Sequence, residues 1–244
     1  MKIKAVLFDL GDTLWSVDYS AEAEAYDHVR QALIEALGER VPDAQALRDA
    51  AAAVFVEEAQ AWQAGKMEQL PAEEAFRRAF ARLGLDVPEE TLRRMPDLAV
   101  SGSIRYRVDP ETRRTLRALR ERGFRIGVIS NTYQSRASLE RSLADHGLLP
   151  LIDVLVISSE VGLTKPHPAI FEAALNALRV SPAEAVFIGD TPLADIKGAK
   201  NLGMRAVLTH QFRQADPGEY QPDLIIKRPG EIIDYVDRQE RDGP

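Results

Sequence analysis

The sequence predicts an α/β fold: a parallel sheet covered by helices on both faces, interrupted after its first strand by an all-helical insertion. Three observations carry this. The chain opens on a short apolar run, Ala5-Val6-Leu7-Phe8, followed at once by an acidic residue and a turn. From about Pro110 onward, helical periodicity alternates with short continuous apolar runs, which is how strands buried on both faces read. Between these regions about eighty residues hold only the helical period.

Taken in order, the run from Lys4 to Phe8 is the first strand. Ala25, Val29, Leu33 and Leu37 recur every fourth position and predict a helix, with Ser20 as its cap and Gly38 as its stop. Asp43 opens a second helix that carries Leu47, Ala51, Val54, Phe55 and Trp62 and closes near Gly65. Pro71 suits the first turn of a third, which presents Phe76, Phe80 and Leu83 and stops at Gly84. Leu92, Met95 and Leu98 predict a shorter fourth. Four amphipathic helices with short connections read as an antiparallel bundle over residues 17–100.

The sheet then resumes. Helices are expected over 110–122, 136–146, 168–178 and 192–202, each followed by a strand, over 125–130, 154–157, 185–188 and 205–208. Leu224–Ile226 reads as an edge strand before a last helix over 229–239. Residues 1–16 and 101–244 are therefore expected to form one core. The polar stretch 211–221, with Pro217 and Gly218, reads as a loose loop.

At 244 residues, 45% hydrophobic and 28% charged, the chain has ample apolar material for such a core. A formal net charge of −7 argues against nucleic acid or an anionic membrane as partner. An anionic substrate would then need positive charge supplied locally. The absence of cysteine excludes disulfides, thiolate nucleophiles and zinc–sulfur sites. The apolar run before Asp9 is too short for a signal peptide, and nothing approaches the roughly 18 apolar residues of a membrane span. A cytoplasmic protein is the expectation.

The chemistry gathers at strand ends, where open α/β sheets present reactive groups. Asp9 follows the first strand, and a carboxylate there can attack phosphorus to form an aspartyl-phosphate. Asp12 and Thr13, in the turn behind it, are candidates to face the substrate. Ser130 and Asn131 end a later strand, where a hydroxyl and backbone amides can bind phosphate oxygens. Lys165, in a loop stiffened by Pro166 and Pro168, can neutralise charge on a transferring phosphoryl group. Asp190 and Asp195 follow a further strand and supply hard oxygens of the kind magnesium takes. Asp9 and Asp190 can hold the ion, while Asp195 reaches it through water or fixes Lys165. Taken singly, Ser130 reads equally as a helix cap, and Asp9, Asp190, Asp195 and Lys165 read first as a cap or a solvated side chain. Four such elements, in this order and each just after a strand, point to magnesium-assisted phosphoryl transfer on a small phosphorylated metabolite.

The same residues resemble the haloacid dehalogenase-like hydrolases, in particular members with a helical cap inserted after the first motif. Phe8-Asp9-Leu10-Gly11-Asp12-Thr13-Leu14 is similar to the first motif, Val128-Ile129-Ser130-Asn131 to the second, Lys165-Pro166 to the third, and Gly189-Asp190 through Asp195 to the fourth. The resemblance implies a Rossmann-like, doubly wound core, a mobile cap, Mg2+ and, most often, phosphomonoester hydrolysis. It also implies a metal ligand from the backbone carbonyl of Gly11. There the chain departs from the pattern, because the family's phosphatases carry an aspartate at that position as general acid and base. Glycine cannot protonate a leaving group, and Asp12, displaced by one residue, could substitute only if the turn re-aims it. Losing a positioned acid costs roughly 10²–10⁴ in rate. Dehalogenation, which needs no such acid, would call for an aromatic residue where Gly11 stands. The resemblance leaves substrate choice to the cap, where Trp15, Tyr19, Trp62, Lys66 and Gln69 lie near its junctions or helix ends. The arginines Arg113, Arg114, Arg117, Arg120 and Arg122 share one predicted helix and read as a solvated face.

Overall fold

Apolar runs of four to six residues cannot face water on either side, and here they pair with one another. The computed structural model describes residues 2–18, 22–100 and 104–241; Tyr19 and Ser20, with the cap expected at Ser20, lie outside them. In chain order the elements begin with β1 (Ala5–Phe8), β2 (Ser16–Asp18), α1 (Glu22–Leu37), α2 (Ala44–Gln63), α3 (Ala72–Ala81) and α4 (Glu89–Val100). Next come β3 (Arg105–Arg107), α5 (Pro110–Glu121), β4 (Arg125–Ser130), α6 (Arg136–Asp145), β5 (Val154–Ile157) and α7 (Ser158–Val161). The chain ends with α8 (Pro168–Leu178), β6 (Ala185–Gly189), α9 (Lys197–Asn201), β7 (Arg205–Thr209), β8 (Leu224–Ile226) and α10 (Glu231–Arg241).

Six strands form one parallel sheet in the order β5-β4-β1-β6-β7-β8. Every residue of β1 and β6 is buried, so helices cover both faces, the doubly wound arrangement. From β1 the chain winds outward through β4 and β5, then returns to the other side of β1 for β6, β7 and β8. The order reverses beside β1, and ligands bind in the crevice at the carboxyl ends of strands at such a switch point. Register fixes what meets there: Phe8 pairs with Val128 on one side and Ile188 on the other. Asp9 thus lies level with Gly189, its N–H donating to the Ile188 carbonyl over 2.8 Å. Leu7, Ile129, Ile170, Phe171 and Phe187 are among the buried side chains packed beneath.

The chain divides into two units. The sheet unit comprises the described residues of Met1–Val17, Tyr106–Thr132 and Glu140–Pro244. The helical unit comprises those of Asp18–Arg105 and Tyr133–Leu139. Within the helical unit α1 to α4 bury Val29, Leu33, Leu47, Val54, Phe76, Phe80, Leu92 and Met95 in one core. Asp43 caps α2, accepting from the Ala46 N–H over 2.8 Å. Pro71 stands at the cap position of α3, one residue before the expected first turn.

Three features depart from the sequence expectations. The short strands β2 and β3 pair as a separate two-stranded sheet; three residues with half-exposed side chains carry no periodic signal. The helix expected over 192–202 is α-helical only in α9, because Pro192–Ile196 winds as a π-helix, with the Lys197 N–H donating to the Pro192 carbonyl. The last helix starts two residues later than expected. Among the described residues no helix is long and apolar enough to cross a membrane.

Candidate active site

Asp9, leaving β1, is buried, as are Ser130 at the end of β4 and Asp190 after β6. Burial of so many polar groups needs local compensation. Lys165 supplies it. Its side chain is 2% exposed, and Nζ donates to Asp9 Oδ1 over 2.6 Å and to the Ile129 carbonyl over 3.0 Å. The same ammonium lies 2.8 Å from Asp195 Oδ1 as an ion pair and 5.3 Å from the centre of the Phe187 ring. Burial works against the charged lysine, yet the Asp195 and Asp9 carboxylates outweigh it and raise its pKa.

Asn131 explains how a loop lysine is held so firmly. Its Oδ1 accepts from the Lys165 N–H over 2.8 Å, and its Nδ2 donates to the Lys165 carbonyl over 3.2 Å. The side chain of Asn131, a candidate for the substrate, is thus engaged with the backbone of the third motif. Asp195 is fixed as tightly. Its Oδ2 accepts from the Thr191 N–H over 2.9 Å, and a Cβ placed on Gly189 would stand 2.3 Å from Asp195 Cγ. Glycine at 189 is therefore what lets that carboxylate lie over the strand end.

Carboxylate oxygens of Asp9, Asp190 and Asp195 all lie within 4.8 Å of one another. Magnesium ligands sit about 2.1 Å from the ion and so at most about 4.2 Å apart, which this cluster reaches with a small contraction. Asp195 Oδ1 makes no aligned hydrogen bond, and the cation it faces is the Lys165 ammonium 2.8 Å away. All three donors are hard oxygens, so the residues fit magnesium. Burial pushes the Asp195 carboxyl up to about 7, against the pull of Lys165 and with the help of Asp9 and Asp190. Burial, then the Asp9 charge, also raises Asp190, with Arg213 opposing.

Around the first motif the turn is tight. Asp12 adopts a left-handed backbone, φ 53°, and its Oδ1 accepts from the Val17 N–H over 3.4 Å. The displaced aspartate is thereby tied to β2. Thr13 Oγ1 is buried and, among the described residues, has no hydrogen-bond partner. Trp15, expected near the substrate, is 1% exposed and stacks on Tyr106 with ring centres 4.1 Å apart. In the helical unit Lys66 pairs with Glu58 over 2.8 Å, and Trp62 and Gln69 are half-buried. Arg113, Arg114, Arg117, Arg120 and Arg122 are exposed, the solvated face that was expected.

One residue escaped the sequence. Arg213, on the stretch that reads as a loose loop, donates from Nε to Asp190 Oδ2 over 2.8 Å and from Nη2 to the same oxygen. A lone arginine among polar loop residues gives no signal of such a contact; only the pairing of β7 with β6 brings it there.

Comparison with known proteins agrees with the motifs. Residues 3–203 match the haloacid dehalogenase-like hydrolase family. A glyceraldehyde 3-phosphate phosphatase of Methanopyrus kandleri is 31% identical over 98% of this chain and all of its own length. A phosphoserine phosphatase of Thermus thermophilus is 34% identical over 63% of this chain and 60% of its own. The crystal structure of a phosphatase of the same superfamily from Thermococcus onnurineus is 26% identical, with a TM-score of 0.63 over 96% of this chain and 98% of that one. A 2-haloacid dehalogenase from Pseudomonas syringae shares the fold, with a TM-score of 0.69 over 97% of this chain and 99% of that one, at 24% identity. With four motifs converging on one strand-end crevice and a match across most of its length, the chain belongs to the haloacid dehalogenase-like hydrolases.

Proposed function

We propose that the chain is a magnesium-dependent phosphatase of a small phosphorylated metabolite, working in the cytoplasm through an aspartyl-phosphate on Asp9. The observation that carries this is the buried Lys165 ammonium, 2.6 Å from Asp9 and 2.8 Å from Asp195, with Asp190 completing the cluster. A strand-end carboxylate beside a fixed cation suits attack on an anionic, electron-poor centre. The relatives named above for glyceraldehyde 3-phosphate and phosphoserine lend support, since both compounds are small phosphomonoesters.

In this reading an Asp9 oxygen attacks phosphorus in line, and the bond to the leaving oxygen breaks with its electron pair. Ser130 and Lys165 hold phosphoryl oxygens, Asn131 holds the Lys165 backbone, and Thr13 and Asp12 shape the turn beneath the substrate. Water then attacks phosphorus and returns Asp9 as a carboxylate. Magnesium, held by Asp9, Asp190 and the Gly11 carbonyl with Asp195 behind, would screen the negative charge where the dianion meets Asp9. The inserted helices act as the cap that selects the substrate.

Gly11 shapes the expected kinetics. Without an acid two positions after Asp9, the leaving oxygen must depart with little help, so activated esters turn over well and alkyl phosphates slowly. Gly11 also favours a second reading, a relative that binds a phosphometabolite without turning it over. Phosphate release from an activated aryl phosphate, with and without magnesium, separates them. The proposal expects magnesium-dependent release that Asp9→Asn abolishes; tight binding without release supports the second reading, and equal release by Asp9→Asn removes the first.

A further inference from the structure

Arg213 occupies a built position. Because β7 lies beside β6, the chain leaving Thr209 emerges next to Asp190. It is tethered there: the His210 N–H donates to the Ile226 carbonyl over 2.7 Å, and the Gln211 N–H to Thr209 Oγ1 over 3.2 Å. Gln211 Nε2 reaches Thr112 Oγ1 over 3.3 Å, and His210 Nε2 lies 3.0 Å from the Ala215 carbonyl. The result is a small arch over 210–215 that carries Arg213. From it the guanidinium puts two donors on Asp190 Oδ2 and one on Thr191 Oγ1, the last over 2.8 Å. Two donors on one carboxylate oxygen use both its lone pairs.

The two cations of the cluster differ in freedom. Lys165 is 2% exposed and wedged between carboxylates, whereas the Arg213 side chain is 50% exposed and can swing into water. Counted formally, three carboxylates against one ammonium and one guanidinium leave the cluster with a single negative charge. Without Arg213 that charge doubles, and Asp190, buried, loses its cationic partner and keeps the Thr191 hydroxyl, which donates to Oδ1 over 3.2 Å.

Resting on the proposed magnesium site, we propose that Arg213 is a built-in counter-cation: it holds Asp190 aimed into the cluster before the ion arrives, and by opposing the ion it sets magnesium affinity. A coordinating ion either takes Asp190 Oδ2 from the arginine or binds beside a like charge; both weaken binding. Arg213 is thus a positioning residue, acting through Asp190. It would keep the site from holding magnesium so tightly that the ion's charge is fully spent before a phosphate dianion enters.

The test is calorimetric titration of magnesium into the metal-stripped full chain, at one pH and ionic strength, for wild type, Arg213→Gln and Arg213→Lys. Arg213→Gln is expected to bind magnesium on the order of tenfold more tightly. Arg213→Lys, which keeps the charge, is expected to stay within about threefold of wild type. A purely structural role predicts the opposite sign, since a loosened Asp190 binds more weakly. Unchanged or weaker binding by Arg213→Gln overturns this inference alone, as does equal tightening by both variants. A wild type that binds no magnesium overturns the metal reading and this inference with it.

Discussion

Lys165 Nζ lies 2.6 Å from Asp9 Oδ1, in a place where the lysine side chain is 2% exposed. A buried cation is retained there because two carboxylates, Asp9 and Asp195, flank it. Removing one partner of a buried ion pair leaves the other uncompensated, at a cost of about 3–5 kcal/mol. Lys165→Met is therefore expected to lower unfolding free energy in urea by about that amount in the absence of metal, and to abolish phosphate release. Adding Asp195→Asn should recover part of the stability and none of the activity. Full stability in the single variant would contradict the pairing.

Gly189 sets a second expectation. A Cβ there falls 2.3 Å from Asp195 Cγ, and overpacking of this kind costs about 1–3 kcal/mol. Gly189→Ala should unfold at lower urea concentration and release phosphate more slowly, because displacing Asp195 loosens Lys165. A variant with wild-type stability and rate would show that Asp195 can turn aside.

Gly11 offers a gain. A Cβ at Gly11 meets Val17 Cγ2 at 3.7 Å, an ordinary contact, so the backbone there accepts a Cβ. Gly11→Asp is expected to raise kcat on alkyl phosphates about 100-fold, with little change on activated aryl phosphates. Equal gains on both would mean that the new carboxylate acts on the metal rather than as an acid.

On the proposed reading, magnesium and protons compete for the carboxylate cluster. Asp195 stands at about 7 and Asp190 is also raised, both by burial first. For a carboxylate raised on folding, the folded state holds the proton more strongly than the unfolded chain. Its stabilising contribution is complete below the ordinary carboxylate range and is lost as pH rises toward 7. A cation binds the ionised form and restores that loss. The rise in Tm on adding magnesium should therefore be larger at pH 8 than at pH 5.5. An equal rise at both would mean that the ion binds without displacing protons.

Strong apolar runs made much of this legible. The strands at Arg125–Ser130 and Val154–Ile157 stand where the sequence puts them, because a strand buried along most of its length leaves an uninterrupted apolar signature, and so does the edge strand Leu224–Ile226, although Ile225 is exposed. Asp9 and Asp190 were readable because they directly follow such strands and Ser130 because it ends one, while Lys165 comes after another by the single helical turn of α7 and a short loop. Asn131 was readable as a polar residue at a strand end, but not as the holder of the Lys165 backbone, a bond across 34 positions. The π-winding at Pro192–Ile196 left no trace in residue type, since Pro192 and the acidic pair suit an α-helix start equally well. Arg213 was invisible for the same reason that β2 and β3 were: its partner is chosen by topology rather than by neighbours in sequence.

The most direct test of the central claim is to look for phosphorus on Asp9 itself. The enzyme, mixed with an activated aryl phosphate and magnesium, is quenched in acid within one turnover and its peptides are weighed. The account predicts one added phosphoryl group on the peptide carrying Asp9, lost on standing in base and missing from Asp9→Asn. Rapid substrate turnover with that peptide never gaining mass at any quench time would contradict it.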